Sequence, residues 1–326
     1  MKRIAILGTG SFVPEKILTN ADLEKIVETT DEWITQRSGI KERRISDEKT
    51  PTSKLCIEAA RRALEAAKMK PEELDFILIG TVTPDMMFPS TACIVQAALG
   101  AKNAAAFDLS AGCTGFIYGL ELARSLIVAD PKRKVLVIGA EELTKITDWT
   151  DRGTCVLFGD GAGAAVLGMV DEDRGILSTY LGADGNLGDL LYMPGGGSLN
   201  PASHKTVDEK MHFVKMAGNK VFPHAVRNML DASTKALESA GIAKEQLNLL
   251  IPHQANIRII EAIAERLGAG NEKIYINIQK YGNTSAASIP LALDEAVRNG
   301  KIKKGDLIML VAFGAGFTWG AALIRW

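Results

Sequence analysis

The sequence predicts a layered α/β fold built from two similar halves. Short apolar runs typical of buried strands alternate with helical patterns along the whole chain of 326 residues. The string Ile77-Leu-Ile-Gly-Thr is echoed in the second half by Leu249-Leu-Ile-Pro-His. The small-residue turn Ala111-Gly-Cys-Thr-Gly is echoed by Tyr281-Gly-Asn-Thr-Ser. A repeat of about 150 residues is far longer than a solenoid unit, and it indicates a duplicated α/β half.

In the first half, apolar runs bounded by glycine or turn residues are predicted to be strands: residues 4–7, 76–79, 104–109, 135–138 and 156–166. A surface helix is predicted over residues 52–67, because Lys54, Glu58 and Arg61 lie on one polar face. A second helix, over residues 113–128, has apolar or small residues around most of its surface. We therefore expect that second helix to be buried.

The second half repeats this alternation of strands and helices. Strands are predicted at residues 175–182, 247–251, 307–313 and 321–324, and helices at residues 213–240, 256–267 and 284–298. The glycine-rich and proline-rich segment 193–201 is predicted to be an exposed loop. Because residues 171–174 form a polar turn, we predict one unit over residues 1–171 and a second over residues 172–326.

Composition excludes several classes of function. The formal net charge is -1, so no global positive field recruits nucleic acid or an anionic membrane. The four cysteines show no CxxC spacing, which argues against a disulfide framework or a zinc site and favours a reduced, cytoplasmic protein. No stretch approaches the roughly 20 apolar residues of a membrane span, and the apolar run near Met1 is too short for a signal peptide.

Cys113 is predicted to be a nucleophile because of the turn in which it lies. It follows an apolar strand and stands between Gly112 and Gly115, where a helix begins. The positive end of the helix dipole and nearby backbone N–H groups favour a thiolate and can hold a developing oxyanion. A cysteine is more often a small core residue. We assign that structural role to the other three cysteines: Cys56 and Cys93 in helical patterns, and Cys155 in a strand pattern.

His253 and Asn283 are the predicted partners of Cys113. His253 follows an apolar strand, at the end where α/β proteins gather ligand groups. Asn283 precedes a predicted helix. Taken singly, the histidine has a structural alternative and the asparagine is more often a simple N-cap. A cysteine, a histidine and an asparagine at strand-to-helix turns of related halves nevertheless form a set that can converge on one cleft.

Several strings in these segments resemble the β-ketoacyl-acyl-carrier-protein synthase III family of the thiolase-like superfamily. The similarity covers essentially the whole chain, and its motifs occur in the family's order. They are Gly8-Thr-Gly-Ser, Asp31-Glu-Trp-Ile-Thr-Gln-Arg-Ser-Gly-Ile, Asp108-Leu-Ser-Ala-Gly-Cys-Thr-Gly-Phe, Phe158-Gly-Asp-Gly-Ala-Gly-Ala, Pro252-His-Gln-Ala-Asn, Tyr281-Gly-Asn-Thr-Ser-Ala-Ala-Ser-Ile-Pro and Gly316-Phe-Thr-Trp-Gly.

The resemblance implies a five-layered α/β/α/β/α homodimer that initiates fatty-acid synthesis. In this family Cys113 would take an acetyl group from acetyl coenzyme A, with the coenzyme A thioester as substrate and no tightly bound cofactor or metal. His253 and Asn283 would donate hydrogen bonds to the thioester of malonyl acyl carrier protein as it loses carbon dioxide. The resulting enolate would attack acyl-Cys113. The oxyanion would be held by the backbone N–H groups of Cys113 and Ala315, although relatives often have a glycine at the latter position.

The resemblance also implies roles around the reacting groups. Trp33 and Arg152 would sandwich the adenine of coenzyme A. The further residues of the coenzyme A tunnel would be Arg37, Thr29, Gly218 and Asn256. Phe88, from the neighbouring subunit, and Phe222 would border the acyl pocket, and a bulky side chain there favours short primers. Acyl carrier protein would dock on Arg258, Lys215 and Lys220, although Pro223 stands where some relatives carry a basic docking residue.

Two alternatives remain open. A related condensing enzyme with the same three residues would use a longer or branched primer, and the volume of the acyl pocket discriminates it. A cysteine thioester hydrolase, which belongs to a different class, would use His253 as a general base and pass the acyl group to water. That hydrolase would need a wet site and would act without malonyl carrier protein.

Overall fold

The computed structural model describes residues 3–326. The strands are β1 (Arg3–Phe12), β2 (Ile17–Thr19), β3 (Glu42–Arg44), β4 (Phe76–Gly80), β5 (Ala105–Leu109), β6 (Val135–Glu142), β7 (Asp160–Val170), β8 (Gly175–Ala183), β9 (Leu191–Tyr192), β10 (Lys215–Met216), β11 (Leu249–Pro252), β12 (Leu307–Gly314) and β13 (Thr318–Arg325). The α-helices are α1 (Asn20–Leu23), α2 (Asp31–Ser38), α3 (Thr52–Ala67), α4 (Thr91–Leu99), α5 (Gly115–Ala129), α6 (Arg152–Cys155), α7 (His204–Asp208), α8 (Gly218–Ala240), α9 (Ile257–Leu267), α10 (Ile278–Tyr281) and α11 (Ser288–Arg298).

Two large mixed sheets share one topology. The first has the strand order β1-β7-β6-β4-β5, and the second has the order β8-β13-β12-β11. In each sheet the second strand pairs antiparallel with both neighbours, and the third and fourth strands pair in parallel. Beyond β11, an isolated parallel bridge from Leu250 to Ile274 stands where β5 stands in the first sheet. The predicted duplication is therefore confirmed.

Helices cover both sheets and also fill the space between them. Helices α3 and α4 pack on the outer face of the first sheet, and α8 and α9 pack on the outer face of the second. Helices α5 and α11 lie between the sheets, where Phe116 and Leu293 share one apolar cluster with strand residues of both halves. This arrangement confirms the predicted five-layered α/β/α/β/α architecture. Within residues 3–326, no helix combines the length and apolar character needed to cross a bilayer.

A close contact between glycines fixes the start of the central helix α5. A Cβ atom on Gly80, at the end of β4, would lie 2.6 Å from the backbone of Gly115. Such a separation is far below van der Waals contact, so the two backbones approach only because both residues lack a side chain. This approach sets the position of the turn that precedes α5, in which Cys113 lies.

Some predicted boundaries are wrong. The strand expected over residues 156–166 begins only at Asp160, and Cys155 ends the short helix α6 instead of lying in a strand. Asp151 caps that helix by accepting hydrogen bonds from the backbone N–H of Gly153 and from the hydroxyl of Thr154. The apolar composition around Cys155 therefore reflects burial and not an extended backbone. The expected boundary between residues 171 and 172 lies in the turn between β7 and β8, and the two units remain a prediction.

Candidate active site

The three residues expected to react lie together in one cavity of about 370 Å³, which Cys113, His253 and Asn283 all line. Each comes from a different turn: Cys113 precedes α5, His253 follows β11, and Asn283 precedes a 3₁₀ turn, Ser285–Ala287, that leads into α11. Because α5 and α11 form the layer between the sheets, the turns before them open at the same edge. The fold thus brings together residues that are distant in sequence.

Cys113 lies in the tight turn Gly112–Thr114, and side chains join this turn to the one between β12 and β13. The hydroxyl of Thr114 donates to the carbonyl of Ala111 at 2.6 Å and lies 2.8 Å from the hydroxyl of Thr318. Gly112 has a φ of 52°, and a Cβ there would lie 2.9 Å from the backbone nitrogen of Ala315. The two turns are therefore in direct contact and hold the backbone of Cys113 in place.

Burial keeps the sulfur of Cys113 protonated in the resting protein. It raises the pKa of this thiol to about 12, although an interaction with the side chain of Ser285, which favours the thiolate, acts in the opposite direction. Burial therefore opposes the thiolate that the helix N-terminus favours.

His253 is a neutral donor whose ring is oriented by Ser288. Burial lowers the pKa of the imidazole to about 3, so the ring carries no charge. Its Nδ1 lies 2.6 Å from Ser288 Oγ, which also accepts a hydrogen bond from the backbone N–H of Gln254. Among the described contacts of Ser288, Nδ1 is the acceptor available to its hydroxyl proton, so we assign that proton to the bond with Nδ1, which places the ring proton on Nε2.

The side chain of Asn283 is held by its oxygen. Its Oδ1 accepts a hydrogen bond of 2.9 Å from the backbone N–H of Ser285. The backbone N–H of Asn283 donates to the carbonyl of Leu157 at 2.8 Å. The amide Nδ2 is left as the free end of the side chain. His253 and Asn283 thus offer two neutral N–H donors in one cavity, a pair suited to binding a developing oxyanion.

Most of the predicted coenzyme A contacts line the same cavity, namely Trp33, Arg37, Gly218 and Asn256, together with the acyl-pocket residue Phe222 and the docking residue Arg258. Trp33 and Arg152 do not form an open slot for a base. The guanidinium of Arg152 lies 5.0 Å from the centroid of the Trp33 ring. Since two stacked contacts need about 7 Å, a base enters between them only if Arg152 moves.

Other predicted residues lie away from the cavity lining. Phe88 is 85 % exposed, Lys220 is exposed and Lys215 is partly buried in β10. Thr29 is partly buried, and its Oγ1 has no hydrogen-bond partner among the described residues. Gly314, the last residue of β12, lines the cavity, and Ala315, in the turn that follows, packs against Gly112.

Sequence reasoning gave no role to three further residues of the site: Ser285, Ser288 and Glu141. The two serines occur in the string that contains Asn283, yet their contacts with Cys113 and His253 depend on the folded chain. Glu141 follows an apolar strand pattern, one residue before the end of β6, and is completely buried. A carboxyl group in such a run was the available signal, because a buried carboxyl needs a partner or a function. Among residues 3–326, no group of three or more His, Cys, Asp or Glu residues could hold a metal ion.

Fold and site together define a condensing enzyme of the thiolase-like superfamily, a class of acyltransferase. Residues 107–185 match the family model described as 3-oxoacyl-[acyl-carrier-protein] synthase III, and residues 237–326 match the model of its C-terminal part. The chain belongs to the β-ketoacyl-[acyl-carrier-protein] synthase III family, whose members are acyltransferases of fatty-acid biosynthesis.

Individual relatives match over nearly their whole length. The β-ketoacyl-[acyl-carrier-protein] synthase III of Caldanaerobacter subterraneus subsp. tengcongensis is 62% identical over 98% of this chain and 97% of its own. The crystal structure of 3-oxoacyl-[acyl-carrier-protein] synthase III from Aquifex aeolicus is 51% identical and has a TM-score of 0.92, covering 99% of this chain and 100% of its own. The Thermus thermophilus synthase III structure is 48% identical with a TM-score of 0.92, and each chain is covered to 99%.

Proposed function

We propose that this condensing enzyme joins acetyl coenzyme A to malonyl acyl carrier protein and forms acetoacetyl acyl carrier protein. The observation that carries this proposal is the meeting of a nucleophilic cysteine with two neutral N–H donors, His253 and Asn283, in one cavity. Cys113 attacks the thioester of acetyl coenzyme A and forms acetyl-Cys113. Coenzyme A then leaves, and the carrier-bound malonyl group takes its place, so the kinetics are ping-pong.

The two neutral donors suit the decarboxylation step. His253 Nε2 and Asn283 Nδ2 donate to the thioester oxygen of the malonyl group, on which negative charge develops as carbon dioxide leaves. An imidazolium would protonate the carbanion, whereas an imidazole whose pKa is lowered to about 3 does not. The enolate therefore survives to attack the carbonyl of acetyl-Cys113. The oxygen of that carbonyl then becomes negatively charged, and the backbone N–H groups of Cys113 and Ala315 hold it.

The cavity supplies a route for the acyl donor. Trp33 and Arg37 both line it, with the guanidinium 5.3 Å from the ring centroid. Asn256 is fixed by a hydrogen bond from its Nδ2 to the carbonyl of Arg37. A planar ring on Trp33 and the cations beside it suit the adenine and phosphates of coenzyme A. We infer that Arg152 moves off Trp33 when the adenine binds, and that Thr29 and Gly218 border the same tunnel.

Acyl carrier protein docks, in this proposal, on basic side chains at the mouth of the cavity. Arg258 lies over the ring of Phe222 at 5.6 Å and lines the cavity, so its charge faces a partner that delivers a substrate there. The formal net charge of the whole chain is only -1, so an acidic carrier must be attracted by a local patch. Lys215 and Lys220 extend that patch toward the first turn of α8.

We propose that the protein acts as a homodimer in the cytoplasm. Strand β5 is the edge of the first sheet, and Phe107 on it is 40 % exposed. The apolar segment Met86, Met87 and Phe88 is also exposed. An open sheet edge beside exposed apolar side chains favours association with a second copy, which would bring Phe88 to the partner's acyl pocket. All four cysteines are free, which suits a reduced compartment. In this proposal coenzyme A is a substrate and not a bound cofactor.

The hydrolase alternative is disfavoured by the same geometry. A general base for water needs a pKa near neutrality and an orienting carboxylate, whereas the pKa of His253 is lowered to about 3 and its Nδ1 faces the hydroxyl of Ser288. A longer or branched primer remains the nearer alternative, because the primer end of the pocket depends on Phe88 of a second subunit.

Intact-protein mass spectrometry tests the proposal. The protein is mixed with acetyl coenzyme A, and malonyl acyl carrier protein is then added. We expect an acetyl adduct that Cys113→Ala abolishes and that the carrier discharges as acetoacetyl carrier protein. Cys93→Ser is the matched control, because Cys93 is exposed and lies outside the cavity. An adduct only from longer donors would indicate the alternative primer, and an adduct that hydrolyses while the carrier is ignored would indicate a hydrolase.

A further inference from the structure

The proposed acyl transfer calls for a group that takes the thiol proton of Cys113 while the sulfur attacks the thioester. The thiol of Cys113 must lose its proton to attack, because burial raises its pKa to about 12. His253 is a poor acceptor, since burial lowers its pKa to about 3 and its role is to donate. Asn283 is not a base at all. A different group must therefore take the proton.

A series of polar side chains leads away from the thiol of Cys113, beginning with Ser285. The turn Ser285–Ala287 packs against the turn Gly112–Thr114, and the side chain of Ser285 interacts with the thiol of Cys113 so as to lower its pKa. The same hydroxyl donates to Glu141 Oε1 at 3.1 Å. Because the hydroxyl proton points to the carboxyl, the oxygen of Ser285 can accept from the thiol. Cys113, Ser285 and Glu141 thus stand in the order required for proton transfer from sulfur to carboxylate.

Uncharged hydrogen-bond donors hold the carboxyl group of Glu141 in this position. Its Oε2 accepts from the hydroxyl of Thr83 at 2.6 Å, and the backbone N–H of Val82 reaches the same oxygen at 3.1 Å. The adjacent Glu142 is different, since it pairs with Lys145 at 3.1 Å. The described hydrogen bonds of Glu141 all come from uncharged groups. The carboxyl can therefore gain and lose a proton without breaking an ion pair.

We propose that Ser285 and Glu141 form a proton relay for Cys113, in which Glu141 holds the thiol proton for as long as Cys113 carries the acyl group. This inference rests on the proposed function, because it concerns the acyl transfer of that reaction. Ser285 contacts the reacting sulfur, and Glu141 acts through Ser285.

The relay balances protons over the whole cycle. In the first step the thiol proton passes through Ser285 to the Glu141 carboxylate, the sulfur of Cys113 forms the bond to the acetyl carbon, and coenzyme A leaves as a thiolate that takes a proton from solvent. In the second step the enolate displaces Cys113 as a thiolate. That thiolate recovers the proton from the carboxyl of Glu141 through Ser285, and both groups return to their initial state.

The surroundings of Glu141 support a carboxyl that exchanges a proton near neutral pH. Burial raises its pKa to about 7. Its negative charge in turn raises the pKa of the Cys113 thiol, so the two groups compete for one proton. Cys56 of α3 also faces this group of acids, and the charges of Asp85, Asp108, Glu141 and Glu142 each raise the pKa of its thiol. Lys145 is the cation on this side and is paired with Glu142.

Glu141→Gln tests the relay, because glutamine keeps the shape and accepts no proton. The acylation rate is followed by rapid quenching and intact mass across a range of pH. The wild-type rate is expected to rise through an inflection near pH 7, where Glu141 ionises. In the variant we expect that inflection to vanish and the rate at neutral pH to fall about 100-fold. Glu142→Gln, which alters the adjacent carboxyl with no link to Cys113, is the matched control.

A second readout separates the relay from a structural role. Decarboxylation of malonyl acyl carrier protein without primer uses His253 and Asn283 and requires no thiol deprotonation, so Glu141→Gln is expected to preserve it. Ser285→Ala is expected to slow acylation in the same way, and Glu141→Asp to recover part of the rate with its pH inflection.

The outcomes are distinct. An unchanged acylation profile in Glu141→Gln overturns the relay, and so does an equal loss of acylation and decarboxylation. If Glu141→Gln does not fold, Ser285→Ala decides by the same two readouts. If the wild-type protein forms no acyl adduct at all, the proposed function fails and not the relay alone.

Discussion

At the scale of single residues, Ser288 decides what His253 can do. Its hydroxyl lies 2.6 Å from Nδ1 of the imidazole and holds the proton of the ring on Nε2, where the malonyl thioester oxygen would bind. Without that hydroxyl, Nδ1 can carry the proton instead, and Nε2 would then present a lone pair to an oxygen that needs a donor.

We therefore expect Ser288→Ala to slow the decarboxylation of malonyl acyl carrier protein by about tenfold or more, because a lost hydrogen bond to a buried group costs about 1–3 kcal/mol. Acyl transfer to Cys113 should be preserved. The release of carbon dioxide and the acetyl adduct are measured in parallel. Ser178→Ala is the matched control. Ser178 is likewise a buried serine, and its hydroxyl donates to the carbonyl of Ala236, outside the site. Equal losses in both half-reactions would contradict this role.

The sequence predicted some residues of the site and not others for a physical reason. Cys113, His253 and Asn283 occupy strand-to-helix turns, and such turns are visible as local patterns. Glu141 is 144 residues from Ser285, and their hydrogen bond exists only because β6 and the turn before α11 meet in the fold. The protonation of Cys113 was also not predictable, because burial depends on the whole fold, whereas the helix dipole is a local property.

At the scale of elements, the contact of β4 with α5 sets the position of the nucleophile. Gly80 ends β4, and Gly115 begins α5 two residues after Cys113. We expect Gly80→Ala to push α5 away from the sheet, since the new Cβ would lie 2.6 Å from the backbone of Gly115. Overpacking of this kind costs about 1–3 kcal/mol in the free energy of unfolding.

The same substitution should slow acylation, because Cys113 moves with the start of α5. Denaturant unfolding gives the loss of stability, and the acetyl adduct gives the loss of rate. Gly185→Ala is the control, since a Cβ there meets no atom within 4 Å. A stable Gly80→Ala variant with unchanged acylation would show that the backbone accommodates the methyl group without moving the turn.

Amphipathic spacing predicted the boundaries of α3 but not the start of α8, which was expected at residue 213 and lies at Gly218. The helix expected over residues 52–67 is α3 (Thr52–Ala67), with Leu55 and Ala59 buried and Glu58 among the polar residues on the other side. The segment around Cys155 was misassigned, because a short run of apolar residues is compatible with a strand or with a buried turn. In that segment the capping by Asp151 decided the conformation.

At the scale of the whole molecule, the five layers were predicted through the family resemblance, while the internal duplication was visible in the sequence itself. The sequence did not show how far the halves depend on each other. Helix α11 belongs to the second half, yet it packs on β7 and β1 of the first sheet. Its residues Ile289 and Leu293 are buried in the central cluster together with Phe116 of α5.

The packing of α11, from the second half, on the first sheet predicts how the chain folds. A fragment of residues 1–171 lacks α11 and would expose the inner face of its sheet to water, so we expect no cooperative thermal unfolding from it by circular dichroism. Adding the fragment 172–326 should restore a single transition. A full-length chain cleaved in the exposed turn at Asp171 is the control, and it should remain assembled because the central layer stays filled. Cooperative unfolding of the isolated first fragment would show instead that each half is a folding unit by itself.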